Sequence, residues 1–106
     1  MDSIRLPLLR LSHVTVLIDQ PMWPAHDTLW SHLVSDDSLD ELHAFAKVHD
    51  IPRRAFDLDH YDVPAERFAD LLRGGAEAVS NRDLIRRLAA SGLRISHKER
   101  RDRAGR

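Results

Sequence analysis

Leu29-Trp30-Ser31-His32-Leu33-Val34-Ser35-Asp36-Asp37-Ser38-Leu39-Asp40-Glu41 is the stretch on which the reading of the fold turns. Two periodicities meet in it. Trp30, His32 and Val34 fall on one side of an extended chain, with Leu29, Ser31 and Leu33 on the other. Ser38-Leu39-Asp40-Glu41 then has the pattern of a capping box, in which Ser38 accepts from the Glu41 amide and the Glu41 carboxylate reaches back. Leu39, Leu42, His43 and Ala46 follow at helical spacing, so a helix with one apolar face runs to about His49. Ser35–Ser38 supplies the turn between the two, and a strand over Leu29–Val34 leading into this helix is the unit to which the rest is fitted.

Upstream, Val14, Val16 and Ile18 alternate with Thr15 and Leu17, which predicts a strand over His13–Asp19 apolar on both faces and stopped by Gln20-Pro21. Gln20–Asp27 reads as a loop in which Pro21 and Pro24 enclose Met22 and Trp23. Trp23 there either tucks over the core or belongs to a lid that stacks on a ligand. Downstream, Phe56 and Leu58 suggest a short strand over Arg53–Leu58, and Pro64 marks a helix start capped by Asp62 or Val63. Phe68, Leu71 and Leu72 form that helix's apolar stripe, and Gly74-Gly75 ends it. Ala76–Val79 is a four-residue strand, Ser80-Asn81-Arg82-Asp83 caps a helix carrying Leu84, Ile85, Leu88 and Ala89, and Leu93–Ser96 offers a last strand. Strands alternating with single helices imply an α/β domain, a small mainly parallel sheet of four to five strands flanked by three helices. The domain spans residues 13–96, with residues 1–12 as an N-terminal extension and 97–106 as a disordered basic tail.

A chain of 106 residues, 42% apolar and 31% charged, is that of one soluble globular domain, and a cytoplasmic location is expected. The absence of cysteine excludes disulfides, thiolate metal sites and cysteine nucleophiles. No apolar run is long enough for a membrane span, and Met1–Ser12 lacks the pattern of a signal peptide. Net charge is −1 but unevenly spread: ten of the 17 acids lie between Asp36 and Asp70, and nine of the 16 Lys and Arg lie between Arg82 and Arg106.

In a parallel sheet, ligands sit beyond the carboxyl ends of the strands, which gives the polar residues one address. Asp19, His32, Asp36 and Asp59 are oxygen and nitrogen donors suited to magnesium, manganese or zinc, and are the candidate metal ligands. Within Asp57-Leu58-Asp59-His60-Tyr61-Asp62, His60 with Tyr61 and Asp62 are the candidate catalytic groups, because flanking carboxylates favour the imidazolium form of His60. Trp23, Arg53, Arg54, Ser80 and Asn81 are candidate ligand-binding residues: a stacking ring, two guanidinium forks and a helix N-terminus for an anion. The competing structural reading makes the acids helix caps and solvated turns, and the arginines their partners. Lys98, Arg100, Arg101, Arg103 and Arg106 in the tail would add weak affinity for nucleic acid.

Thr15-Val16-Leu17-Ile18-Asp19, Leu29-Trp30-Ser31-His32-Leu33-Val34-Ser35-Asp36, Glu41-Leu42-His43-Ala44-Phe45-Ala46 and Asp59-His60-Tyr61-Asp62-Val63 together resemble a small bacterial and phage family, domain of unknown function 4031. The resemblance covers about residues 14–95 and implies that Asp19, His32, Asp36, His43, His60, Tyr61 and Asp62 belong to a shared pattern; it implies no activity. A weaker likeness, carried by the strand ending in Asp19 and by Ala78-Val79-Ser80-Asn81-Arg82-Asp83, is to PIN-like nucleases, although Ser80 and Asn81 stand where such folds place an acid. Two functions are therefore expected to compete. One is a cleft that binds a divalent metal and a phosphate-bearing ligand or nucleic acid and hydrolyses a phosphodiester. The other is a non-catalytic binding or adaptor module, with a homo-oligomer as a further expectation.

Overall fold

The computed structural model describes residues 14–104, so the expected extension over residues 1–12 lies outside the described residues. Its elements are β1 (Val16–Ile18), β2 (Trp23–Ala25), β3 (Thr28–Ser35), α1 (Leu39–Val48), β4 (Phe56–Asp57), β5 (His60–Pro64), α2 (Phe68–Arg73), β6 (Glu77–Ala78), α3 (Asn81–Ser91) and α4 (His97–Ala104). Single 3-10 turns precede β4 at Arg53–Ala55 and α2 at Ala65–Arg67. The stretch read first is the longest strand followed by its helix, and β3 lies in the middle of the sheet. The order is β4-β5-β3-β1-β6, with β2 paired to the first residues of β3.

Among the described residues the sheet is mixed and mostly antiparallel, with six strands and four helices, which corrects the expectation of a mainly parallel sheet of four to five strands with three helices. Among the described residues only β1 and β6 run parallel; β3 is antiparallel to β1, β2 and β5. The cause is local. The segment read as a proline-bounded loop holds a strand, and Ala25 pairs with Thr28 across a two-residue turn at His26 (φ +50°) and Asp27 (φ +63°). Positive φ at both central residues is the requirement of a tight hairpin turn whose twist matches its strands. A second reversal at Leu58 (φ +61°) folds β4 back on β5. Such turns reverse the chain without a crossover helix, so neighbouring strands come out antiparallel.

Strand alternation then sorts side chains into two layers. On one face Val16, Ile18, Leu33, Tyr61 and Val63 pack with Leu42 and Ala46 of α1 and Leu71 of α2. On the other, Leu17 and Val34 pack with Leu84 and Leu88 of α3. That second core is small, and Trp30, His32, His60 and Asp62 on the same face keep partial exposure.

The caps agree in part with the pattern read from sequence. Ser38 accepts from the Glu41 amide at 3.0 Å, but the Glu41 carboxylate does not return to Ser38; it accepts from Ser35 Oγ at 2.6 Å and Thr15 Oγ1 at 2.7 Å, tying α1 to β1 and β3. Ser80 caps α3 by accepting from the Asp83 amide, and Gly92 ends it at φ +85°. Asp62 and Val63 are in β5 and cap no helix. Leu93–Ser96 forms no strand, and the chain continues from it into α4, where a disordered tail was expected.

Candidate metal centre

Register builds the site. His32 and Asp62 are direct cross-strand partners, and the two-residue period of β5 puts His60 beside Asp62 and sends Tyr61 to the opposite face. On the other side of β3 the Asp19 amide donates to the His32 carbonyl at 3.2 Å, so Asp19 flanks His32 just as β1 ends. Pairing resumes where the Met22 amide donates to the Trp30 carbonyl at 3.1 Å. Between these bonds the β1–β2 edge bulges through Pro21, which has no amide hydrogen to give.

Asp19 is fully buried and its carboxylate is surrounded by donors. Oδ1 accepts from the His32 backbone N–H at 2.6 Å; Oδ2 faces His32 Nδ1 at 2.8 Å and accepts from Asn81 Nδ2 at 2.9 Å and Trp23 Nε1 at 3.5 Å. Burial alone would raise the Asp19 carboxyl, but the His32 and Asn81 hydrogen bonds outweigh it and hold the group below the usual carboxylate range. Asp59, at the β4–β5 reversal, is equally buried. It meets His60 Nδ1 at 2.7 Å, the Ile95 N–H at 2.8 Å, Arg100 at 3.2 Å and Arg94 at 3.4 Å. Burial again opposes the charge, and the His60 and Ile95 bonds again prevail, lowering the Asp59 pKa.

Two carboxylate–histidine pairs thus stand side by side, with the imidazole rings 5.1 Å apart and nearly perpendicular. In each the Nδ1 edge is taken by a buried aspartate, leaving Nε2 as the nitrogen that the aspartate does not engage. His60 Nε2 lies 3.1 Å from the Asp62 carboxylate. Burial pushes the His60 imidazole down, but Asp59 and Asp62 more than reverse it and raise it to about 9. The Asp62 carboxyl is lowered, chiefly by its hydrogen bond from His60. One donor atom each from His32, His60 and Asp62 lies within 4.8 Å of the others, a spacing compatible with a single cation. A metal-binding histidine characteristically has its second nitrogen fixed by a carboxylate, and both histidines here have that support.

Not every residue singled out from sequence reaches this group. Asp36 follows the far end of β3, which antiparallel pairing places away from Asp19, and it is held by Arg87 at 2.9 Å. Tyr61 is buried on the opposite face with its hydroxyl 2.7 Å from His43 Nδ1; burial raises the Tyr61 hydroxyl and lowers the His43 imidazole, as expected of a core pair. Arg53 lies over the Phe56 ring, and Ser80 serves as a helix cap. Asn81 does arrive, as the clamp on Asp19. Trp23 arrives too, its ring 5.2 Å from that of His32. Asp19 and Asp59 arrive as the supports of the histidines, with their oxygens already engaged.

Arg94 and Arg100 also border the site, where the sequence reading did not place them: Arg94 was not singled out, and Arg100 was read only as part of a basic tail. Both reach buried Asp59 from the segment read as a weak strand and a disordered tail. The basic character of that end, set against an acidic middle, was the available signal. With His32, His60 and Asn81 they line a cavity of about 480 Å³. A second cavity of about 670 Å³ opens on the Asp62 side, walled by Trp23, Trp30 and Arg54.

A mixed sheet covered by helices, with two aspartate-supported histidines and a third carboxylate on its half-open face, defines a small α/β protein with a candidate two-histidine, one-carboxylate centre. Residues 16–91 match the model of the family described as protein of unknown function (DUF4031), and the chain belongs to that family. No curated protein and no solved structure matches it. Among the described residues, no helix is long and apolar enough to cross a membrane.

Proposed function

We propose that the chain is a metal-dependent hydrolase of a phosphate ester, with one divalent ion held by His32 Nε2, His60 Nε2 and Asp62. The observation that carries this reading is the pair of histidines whose Nδ1 atoms sit 2.8 and 2.7 Å from buried carboxylates, beside a third carboxylate within ligand distance. Two imidazoles and one carboxylate suit zinc, manganese or ferrous iron better than magnesium, which prefers oxygen donors. Three protein ligands leave coordination positions for water and substrate. An ion so bound supplies Lewis acidity and an activated water. Asp19 and Asp59 orient the imidazoles and increase their basicity, and Asn81 keeps Asp19 in place. Arg94 and Arg100 give the adjoining cavity a positive wall for the phosphate.

The test is calorimetric titration of metal-stripped protein with zinc, manganese, ferrous iron and magnesium, repeated on His32→Ala, His60→Ala and Asp62→Ala. One site per chain, weakened in all three variants, supports the centre; affinity unchanged in any of them removes that residue as a ligand. Hydrolysis of a chromogenic phosphodiester that disappears with chelator and returns with the preferred ion supports the reaction.

A second reading is favoured by the His60 imidazole standing at about 9, since an imidazolium beside His32 is a general acid next to a general base. Cleavage that persists in excess chelator would establish that reading over the metal one.

A further inference from the structure

We propose that the two cavities flanking the centre form one bipartite site for a single nucleotide unit, with the base between Trp23 and Trp30 and the phosphate beside His32, His60 and Arg94. The phosphate end rests on the metal-centre reading, whereas the base end stands on separate observations. Trp23 and Trp30 are cross-strand partners on the face that carries His32 and Asp62, so their rings rise from the sheet next to the centre. Each is fixed in place. The Trp30 indole N–H donates to the Ala25 carbonyl at 2.8 Å, and the Trp23 indole N–H points to Asp19 at 3.5 Å. With their donors engaged, the rings are left with apolar faces to offer. Trp23 is nevertheless 41% exposed.

The two cavities differ in chemistry and meet at Trp23, which lines both. The one of about 670 Å³ has aromatic walls, with Arg54, Glu66 and Arg67 around it as donors and acceptors for the edge of a planar heterocycle. The one of about 480 Å³ holds the two histidines, Asn81 and two arginines. Asp62 borders the first cavity and His32 and His60 the second, so the candidate metal lies at their junction. Each volume falls within the range of about 300–1,000 Å³ typical of small-molecule sites. A ligand that satisfies both must carry a flat ring at one end and an anionic phosphate at the other. A nucleoside monophosphate has that shape, and it occurs either as a free nucleotide or at the end of a strand.

The protein reports on itself, because its only two tryptophans are the proposed stacking residues. The experiment is fluorescence titration of the full chain, with and without zinc, using adenosine monophosphate, ribose 5-phosphate and a short single-stranded oligoadenylate. Base–aromatic stacking of this kind should make adenosine monophosphate bind about tenfold more tightly than ribose 5-phosphate and quench the tryptophans. Trp23→Ala should bring that ratio to about one, and Trp23→Phe should keep most of it. Circular dichroism of both variants separates loss of the ring from loss of the fold. If zinc binds and the two phosphates bind equally, the nucleotide proposal is overturned and the metal reading survives. If zinc fails to bind yet the tenfold preference remains, the nucleotide site stands and the metal reading falls. Tighter binding of the oligoadenylate than of the mononucleotide assigns the site to strand ends; equal or weaker binding assigns it to the free nucleotide.

Discussion

His60 is gripped at both nitrogens, by Asp59 at 2.7 Å and Asp62 at 3.1 Å, and its charge state follows from that grip. Its imidazole rises from 6.5 to about 9, so between these values the folded metal-free protein keeps a proton that the unfolded chain has released. The pair's contribution to stability is therefore complete below pH 6.5 and is lost as pH climbs through about 9, which urea unfolding midpoints across that window will show. A metal must displace the same proton. Affinity for zinc should accordingly rise by about tenfold per pH unit until His60 is neutral near pH 9, as read by competition with a chromogenic chelator. Asp19 acts at one remove. Asp19→Asn keeps the shape but sets an amide N–H₂ against groups that already donate, so metal affinity should fall by about 10- to 100-fold. The fold should lose about 1–3 kcal/mol from the buried hydrogen bonds left unmade. Calorimetry and thermal denaturation of the same preparation measure both, and a variant that binds metal as the parent does would remove Asp19 from the support of His32.

At the level of elements, the β2–β3 hairpin decides more than its length suggests. It converts the segment before β3 into a strand, brings Trp23 over the site, and sets the antiparallel sense of the central sheet. Its turn is strained, because Asp27 holds φ +63° and a non-glycine residue in that region costs about 1 kcal/mol. Asp27→Gly should relieve the strain and, after glycine's greater entropy loss, stabilise the protein by about 0.5 kcal/mol, seen as a higher urea midpoint at unchanged slope. A fall in midpoint would mean that the Asp27 side chain contributes more than the strain costs. The strand that carries the site obeys a simpler rule: alternation along β5 alone separates His60 and Asp62 from Tyr61.

Taken whole, the molecule shows why some of this was legible in the sequence and some was not. Strand β3, helix α1 with Ser38 at its head, and helix α3 between Ser80 and Gly92 are local objects, specified by periodicity and by cap residues a few positions apart. The positions of Asp19, His32, His60 and Asp62 near one another are a property of pairing, and the expected carboxyl-edge geometry named all four on an argument for parallel strands, which here fits the β1–β6 pair alone among the described residues. Asp36 exposes the difference: in a parallel sheet it would have joined the group, and in this antiparallel pair it faces Arg87 instead. The turn at His26-Asp27 lacks the glycine that usually announces a hairpin, and Trp23-Pro24-Ala25 lacks the alternation of a strand, so nothing local disclosed the reversal. Charge segregation along the chain also has a structural answer. The basic C-terminal third supplies Arg87, Arg94 and Arg100 to Asp36 and Asp59 of the acidic middle.

The bond from Asn81 to Asp19 spans 62 positions of the chain, whereas the two hairpins close over only a few. Short loops close at small entropic cost and distant pairings wait for the rest of the chain to condense. The β2–β3 and β4–β5 hairpins should therefore form early, with β6 and α3 docking beside β1 near the end of folding. Asn81→Ala should speed unfolding several-fold while leaving the refolding rate nearly unchanged, the mark of a contact absent from the transition state, and stopped-flow chevrons will report it. The support of His32 is then one of the last parts of the molecule to assemble, and a nascent chain would carry both histidines well before Asp19 is clamped beside them.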